Sequence, residues 1–454
     1  MRGQPAVVGV DLGTSGVKVL VVALDDAALD DAVLGRGRAE YPVLVPSAGR
    51  AESDPADWWR ATGRAVRQAV AQARTADIVA VAVAGQMHGL VLAREGVDGE
   101  VDRPAILWLD QRAAAEAARY AQLPTALTDP LGNRASAGMA GPILRWLVQH
   151  EPGSVAAARW ALQPKDWIRL RMTGEAATDP TDASATLLFD LERDAWADDL
   201  IAALGLPRDK LPPVRGSAQA SGALLAGPAA ELGLPPGIAV ATGAADTAAA
   251  LYAAGLSDDE AMLTLGSGGQ WAVSESGLRP TAATNLYRAV GGGYYRLAPL
   301  QNVGVTLNWV RTLLDVSWAQ LYDAAARPAG PDAPVFVPYL TPERWDPAAT
   351  GAWTGLTLAH QRDDLLRSAL DGVATLIRTR LDDLRAAGHQ PARVLLGGGG
   401  AAYPAWRDLL TGALGLQLRP APASWLTAAG AARLAADFTW RHARTLGAER
   451  GSGP

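Results

Sequence analysis

Apolar and polar positions along this chain follow two periods, and the period assigns the elements. From Ala6 to Val10, and again from Val17 to Leu24, the residues are apolar and mostly β-branched, with Asp11 to Gly16 between them as a short stretch of Gly and small polar residues. Two such runs joined by a turn predict a hairpin. Ser53, Asp54, Pro55 and Asp57 are helix-start residues ahead of Trp58 to Ala73, where apolar positions recur at helical spacing. Ile78 to Ala84 is apolar and too short for a helix of its own, so it predicts a buried strand ending at Gly85, with Gln86, Met87, His88 and Gly89 at its carboxyl end.

The second half repeats the theme. IAVATGAADTAAALYAAG, Ile238 to Gly255, predicts a strand, a glycine-containing turn and a helix; AMLTLGSGGQWAVS, Ala261 to Ser274, predicts strand, turn and strand. Residues 364 to 387 predict a long helix, and Val394 to Leu396, Gly397 to Gly400 and Tyr403 to Leu414 predict strand, four-glycine turn and helix. A duplicated architecture of two α/β domains is the simplest reading. Its boundary is placed near Gly243, giving domains of residues 1–243 and 244–454, after a Pro- and Gly-rich approach from Leu211 to Gly237. The tail Gly451 to Pro454 is expected to fray.

Composition narrows the function classes. At 454 residues with 49% hydrophobic and 19% charged residues, the chain can bury a large core and is not a disordered one. It contains no Cys, which excludes disulfides, thiolate metal sites and a cysteine nucleophile. A net charge of -6 without any block of five basic residues gives no footprint for nucleic acid or an acidic membrane. No window reaches the roughly 18 consecutive apolar residues of a membrane span, and Asp11 and Lys18 interrupt the N-terminal apolar stretch where a secretory signal would need continuity. A cytoplasmic protein is expected.

Three glycine turns, Gly13 to Gly16, Gly266 to Gly269 and Gly397 to Gly400, present successive backbone N–H groups of the kind that bind phosphate oxygens. None is a P-loop or a GxGxxG turn after a strand. Hairpins need glycine for backbone reasons alone, so each turn singly is weak; together with Asp11, Thr14 and Asp246 they point to a nucleotide. Asp246 stands either as a general base or as a helix N-cap, and Asp11 either beside a cation or in an Asx turn. Trp108, Asp110 and Arg112 read equally as sugar contacts or as a strand end entering a helix. The histidines other than His88, namely His150, His360, His389 and His442, show no metal-binding spacing.

GVDLGTSGVKVLVVAL resembles the first phosphate motif of the sugar-kinase branch of the actin, hexokinase and Hsp70 superfamily. AVAGQMHGLVL, RPAILWLDQR, PKDWIRLRMTGE and TDPTDASATLLFDL resemble the FGGY carbohydrate kinases, and among those the members that phosphorylate D-xylulose. The likeness runs from about residue 7 to residue 436. GAWTGLTLAHQRDDLLRSALD fits the family's second signature, whereas the first is partly kept in GMAGPILRWLVQH, with Ala140 and Ile143 as departures; GSGGQW and PERWDPAATG depart as well.

The resemblance implies two actin-like (ribonuclease H-like) α/β domains flanking a catalytic cleft, with the sugar mainly on the N-terminal domain and ATP mainly on the C-terminal one. It implies Asp246 as catalytic base and sugar contact, and Asp11 as the second catalytic carboxylate, organising Mg²⁺ through water. Met87 and His88 would touch the sugar, joined by Asp110 and Arg112. Gly13, Thr14, Ser15, Lys18, Gly266, Ser267, Gly398 and Gly399 would hold the nucleotide. The expected reaction is ATP plus D-xylulose giving ADP plus D-xylulose 5-phosphate, with a sugar and ATP as partners and a homodimer as one expectation of assembly. Another ketopentose or a polyol (ribulose, glycerol, erythritol) is the neighbouring reading, and a nucleotide-binding module without sugar chemistry a more distant one.

Overall fold

The computed structural model describes residues 3–24, 32–96, 98–341, 349–421 and 425–450, with side chains to residue 439. Residues 342–348 of the divergent PERWDPAATG segment and the tail 451–454 lie outside the described residues.

The first unit comprises Met1–Gly255, Tyr287–Tyr294 and Trp425–Pro454. Its sheet contains β1 (Gln4–Leu12), β2 (Gly16–Ala23), β3 (Val33–Glu40), β4 (Ala76–Gly85), β5 (Ala220–Ala223), β6 (Ala239–Ala241) and β7 (Ala244–Ala245), in the order β5-β6-β4-β1-β2-β3 with β7 also on β4. The expected hairpin is β1 with β2, in antiparallel register from Ala6↔Ala23 to Leu12↔Val17. The expected buried strand is β4, parallel to β1.

Side-chain size on the two faces of this sheet decides how closely helices approach. On one face Val8, Val10, Val19, Val81 and Val83 pack with Trp58, Ala61 and Ala65 of α1 (Pro55–Gln72), whose N-terminus is capped by Asp54 accepting from the Ala56 N–H at 2.9 Å. The other face carries Val7, Gly9, Ala80, Ala82 and Ala84, small enough for α7 (Leu426–Arg450) to lie against the strands through Ala428, Ala431, Ala432 and Ala435. Helix α3 (Asp246–Ala254) packs on the same face, where the Ala249 backbone sits against Gly430 of α7. Between α1 and α3 along the chain lies α2 (Pro164–Thr173).

The second unit comprises Leu256–Leu286 and Tyr295–Ser424. Its sheet runs β10 (Asn285–Arg288), β11 (Tyr294–Leu300), β9 (Gly269–Glu275), β8 (Glu260–Leu265), β12 (Arg393–Gly397), β13 (Gln417–Pro420). Here too a hairpin, β8 with β9, is followed by parallel neighbours, β12 on β8 and β13 on β12. Helices α4 (Gly304–Leu313), α5 (Arg362–Ala386) and α6 (Pro404–Leu414) cover one face, where Leu263, Leu265 and Trp271 meet Leu370, Val373 and Trp406. The duplication expected from the hairpins is therefore present in the strand order itself.

The division differs from the expected 1–243 and 244–454. Helices α3 and α7 join the first unit, because their alanines fill the small-residue face of the first sheet. The contact of Gly9 with α7 joins residues more than four hundred positions apart, which no local pattern reports.

An alanine at position 9 would put its Cβ 2.1 Å from the Ala428 carbonyl oxygen and 2.4 Å from the Ala432 nitrogen. Gly9→Ala is expected to cost about 1–3 kcal/mol by overpacking and to lower the melting temperature of the ligand-free protein. An unchanged melting temperature would contradict this packing of α7.

Candidate active site

The parallel pairing aligns three strand ends. Asp11 of β1 and Ala244 of β7 both pair with Ala84 of β4, and Leu12 and Ala245 both pair with Gly85. The next residues along β4 and β7 are Gln86, Met87 and His88 on one and Asp246 on the other. Alternation puts Asp11 on the face of Val7 and Gly9, the face on which α3 begins with Asp246. The sequence-predicted carboxylates are thus brought together.

Both carboxyls titrate high. Burial pushes Asp11, 8% exposed, up to about 7, with Lys18, its cross-strand partner, drawing it back and Asp246 adding to the rise. Burial pushes Asp246 up to about 6, against donation from Thr247. Asp246 Oδ1 accepts from the Thr247 N–H at 2.5 Å and from the Thr247 hydroxyl at 3.1 Å. It is the first residue of α3, with Ala245 in the cap position, so the alternative of an N-cap does not describe it.

Met87 is buried and His88 is half-buried with φ of 73°, the left-handed region that a non-glycine residue enters only where surrounding contacts hold it. Its Nδ1 lies 2.8 Å from the Ala185 carbonyl oxygen, and its ring lies against Tyr287. A carbonyl only accepts, so Nδ1 carries the proton and Nε2 of the neutral ring is the acceptor.

Around the first glycine turn, the Gly13 N–H donates to the Gly16 carbonyl at 3.0 Å, and the Gly13 carbonyl accepts from the Tyr41 hydroxyl. Thr14 Oγ1 accepts from Trp108 Nε1 at 3.0 Å, which leaves the Thr14 proton as a donor, while Ser15 stands exposed at the tip. Trp108 thereby orients a turn residue.

Asp110 and Arg112, expected at the sugar, are occupied with each other. Each Asp110 oxygen accepts twice: Oδ1 from the Arg112 N–H and Nε, Oδ2 from the Ala51 N–H and the Arg112 guanidinium. Arg112 also pairs with Glu52 at 2.7 Å and lies over Trp146. With Asp110 fully buried and its four acceptor positions filled by Arg112 and the Ala51 N–H, the pair braces the loop.

In the second unit the other two glycine turns meet, because Thr264 of β8 pairs with Gly397 of β12. Gly398, at φ of 90°, passes so close to Leu265 that a Cβ would lie 2.1 Å from its carbonyl oxygen, so its glycine is required by strand packing. Gly399 and Ser267 are exposed, and the Gly266 N–H is used by the Gly268 carbonyl at 2.8 Å.

Two family domains match this chain: the N-terminal domain of the FGGY family of carbohydrate kinases over residues 6–253, and its C-terminal domain over residues 273–437. The chain belongs to the FGGY family of carbohydrate kinases. The xylulose kinase of Escherichia coli (strain K12) is 36% identical over 421 residues, covering 90% of this chain and 85% of the relative. That of Bacillus subtilis (strain 168) is 30% identical over 416 residues, covering 89% and 82%. The crystal structure of xylulose kinase from Rhodospirillum rubrum matches with a TM-score of 0.83 at 30% identity, covering 95% of this chain and 90% of that one. The two-domain actin-like α/β fold expected from the sequence holds for this kinase, and no described helix is long and apolar enough to cross a membrane.

Sequence reasoning gave no role to a buried charge cluster of this FGGY kinase. Lys165, Asp166, Arg169, Asp179 and Asp182, none more than 1% exposed, lie behind the ends of β4 and β7. They fall in the matched segments PKDWIRLRMTGE and TDPTDASATLLFDL, where charged residues inside otherwise apolar stretches were the available signal.

Raised carboxyls bind protons more tightly folded than unfolded. From the ordinary value of 3.8 up to about 7, therefore, the folded state loses stability as pH rises, through Asp11 most of all. Asp11→Asn is expected to melt above the wild type at about pH 8 without ligands, the gap closing toward about pH 4. A variant melting lower at about pH 8, or a gap independent of pH, would contradict the burial of this charge.

Proposed function

We propose that this kinase transfers the γ-phosphoryl group of ATP to D-xylulose, giving ADP and D-xylulose 5-phosphate. The observation that carries the reading is Asp246 at the carboxyl end of β7, one strand from Met87 and His88 and on the face of Asp11. The identity with xylulose kinases over nine-tenths of the chain supports the choice of sugar.

In this reading the sugar lies at the ends of β4 and β7. His88 Nε2 accepts a hydrogen bond from a sugar hydroxyl, because the Ala185 carbonyl holds the proton on Nδ1. Asp246, ionised, accepts the proton of the attacking hydroxyl; the new bond forms from that oxygen to the γ-phosphorus, and the bond to the β,γ-bridging oxygen breaks, releasing ADP. The turns at Gly266–Gly269 and Gly397–Gly400 are assigned to the nucleotide, with Gly266, Ser267 and Gly399 exposed there.

Asp11 and Asp246 also suit a divalent cation. Among the described residues no group of three or more His, Cys, Asp or Glu could hold a metal. A pair of neighbouring carboxylates fits Mg²⁺ instead, an ion commonly held by one or two carboxylates, water and substrate phosphates. Asp11 would hold it, and the ion would neutralise phosphate charge during transfer. Burial raises the cost of ionised Asp11, which a neighbouring cation would offset.

ADP release with Mg·ATP is expected to be stimulated by D-xylulose and much less by ribulose, glycerol or erythritol. Asp246→Asn is expected to lose about 10²–10⁴-fold in turnover while still binding ATP. Stimulation by a different sugar alone would replace the substrate and keep the base; full turnover by folded Asp246→Asn would remove the base.

A further inference from the structure

The backbone leading into Asp246 is held by buried polar groups at three successive points. Arg169 donates to the Thr242 carbonyl at 3.0 Å. The Ser217 carbonyl accepts from the Gly243 N–H at 3.0 Å. The Thr181 hydroxyl oxygen accepts from the Ala245 N–H, the peptide next to the base, at 2.8 Å.

Thr181 and Ser217 are anchored on Asp179 and Arg169 on Asp166, and Lys165 pairs with both carboxylates. Asp179 Oδ2 accepts from the Thr181 N–H at 3.0 Å, the Thr181 hydroxyl at 2.7 Å and the Ser217 hydroxyl at 2.7 Å. Because the Thr181 proton is committed to Asp179, its lone pair faces Ala245. Lys165 Nζ lies 3.0 Å from Asp179, 2.6 Å from Asp166 and 3.3 Å from Asp182, and Asp166 in turn takes Arg169 at 3.0 Å. Three carboxylates hold the Lys165 ammonium in its charged form against the opposing effect of burial, while burial raises Asp182 well above its ordinary value. The cluster also underlies the other strand end, since the Lys165 Cβ would lie 3.0 Å from a Cβ at Gly85.

Buried ion clusters are a poor source of stability, because desolvation consumes most of their attraction and apolar replacements of like volume are often as stable. What this one supplies is direction: Arg169 reaches the Thr242 carbonyl, while Asp179 orients the Thr181 hydroxyl that receives the Ala245 N–H and anchors Ser217, whose main-chain carbonyl receives the Gly243 N–H. We propose that Lys165, Arg169, Asp179, Thr181 and Ser217 are positioning residues that fix the Asp246 carboxylate for transfer. The inference rests on Asp246 being the base.

Thr181→Val keeps the side-chain volume and removes the acceptor for Ala245. Its kcat for the sugar-dependent reaction is expected to fall at least ~10-fold, with KM for sugar and ATP within about 2-fold of wild type. The Ala245 amide should exchange with solvent faster, and Thr181→Ser, which restores the hydroxyl, should recover kcat to within about 3-fold. Wild-type kcat in folded Thr181→Val, or a Thr181→Ser as slow as Thr181→Val, would overturn the proposal. Should Thr181→Val not fold, Thr181→Ala, which also removes the acceptor for the Ala245 N–H, decides: a reduced kcat at unchanged KM supports the positioning role, and an unchanged kcat overturns it. Asp246→Asn, measured alongside, separates the two claims. If it is inactive while Thr181→Val is as fast as wild type, the base stands and the positioning falls; if it is active, the base falls and the positioning role with it.

Discussion

Two carboxylates brought together at the ends of β1 and β7, the parallel strands on either side of β4, are the constraint on which the site depends. β4 lies between β1 and β7 and pairs with both, so the register that aligns Asp11 with Ala84 also aligns Ala244 with Ala84. A shift of one residue in either pairing would turn Asp11 or the start of α3 to the opposite face. The alanines of β4 and the glycine in β1 permit that arrangement, because they let α3 and α7 cover the face that carries both carboxylates. Burial then lifts both groups toward neutrality, where a modest change of surroundings decides whether each is charged.

Much of the fold was legible because it is local. The β-branched runs and glycine turns of both hairpins, the capped start of α1 and the helical spacing of α5 and α6 are properties of short windows. The placement of α7 was not legible. Its alanine-rich surface carries little contrast between faces, and its partners are Gly9 and the alanines of β4, far away in sequence. The same distance hid the role of Asp110 and Arg112, whose other partners, Ala51 and Glu52, precede them by about sixty positions. Asp246, by contrast, stood at a strand-to-helix turn where its residues alone left base and N-cap open; the family resemblance singled it out, and only the register showed it beside Asp11.

The site also shows where this protein accepts a cost. His88 occupies the left-handed region, the buried Asp11 carboxyl lies near that of half-buried Asp246, and five charged side chains lie out of water behind the strand ends. Each is unfavourable alone, and each adjoins a residue to which sugar or phosphate chemistry is assigned. Elsewhere the packing is ordinary: Trp58 meets Trp167 edge to face, and Trp271 donates to the Ile377 carbonyl at 2.9 Å.

The most direct measurement of this account is the pH dependence of kcat/KM for the sugar, which reports groups titrating in the free enzyme. The account predicts an acidic limb with its midpoint between about 6 and 7, belonging to Asp11 and Asp246 as an interacting pair that works only when ionised. A profile flat down to about pH 5 would contradict it, since carboxylates titrating in the ordinary range would not be the buried, mutually sensitive groups described here.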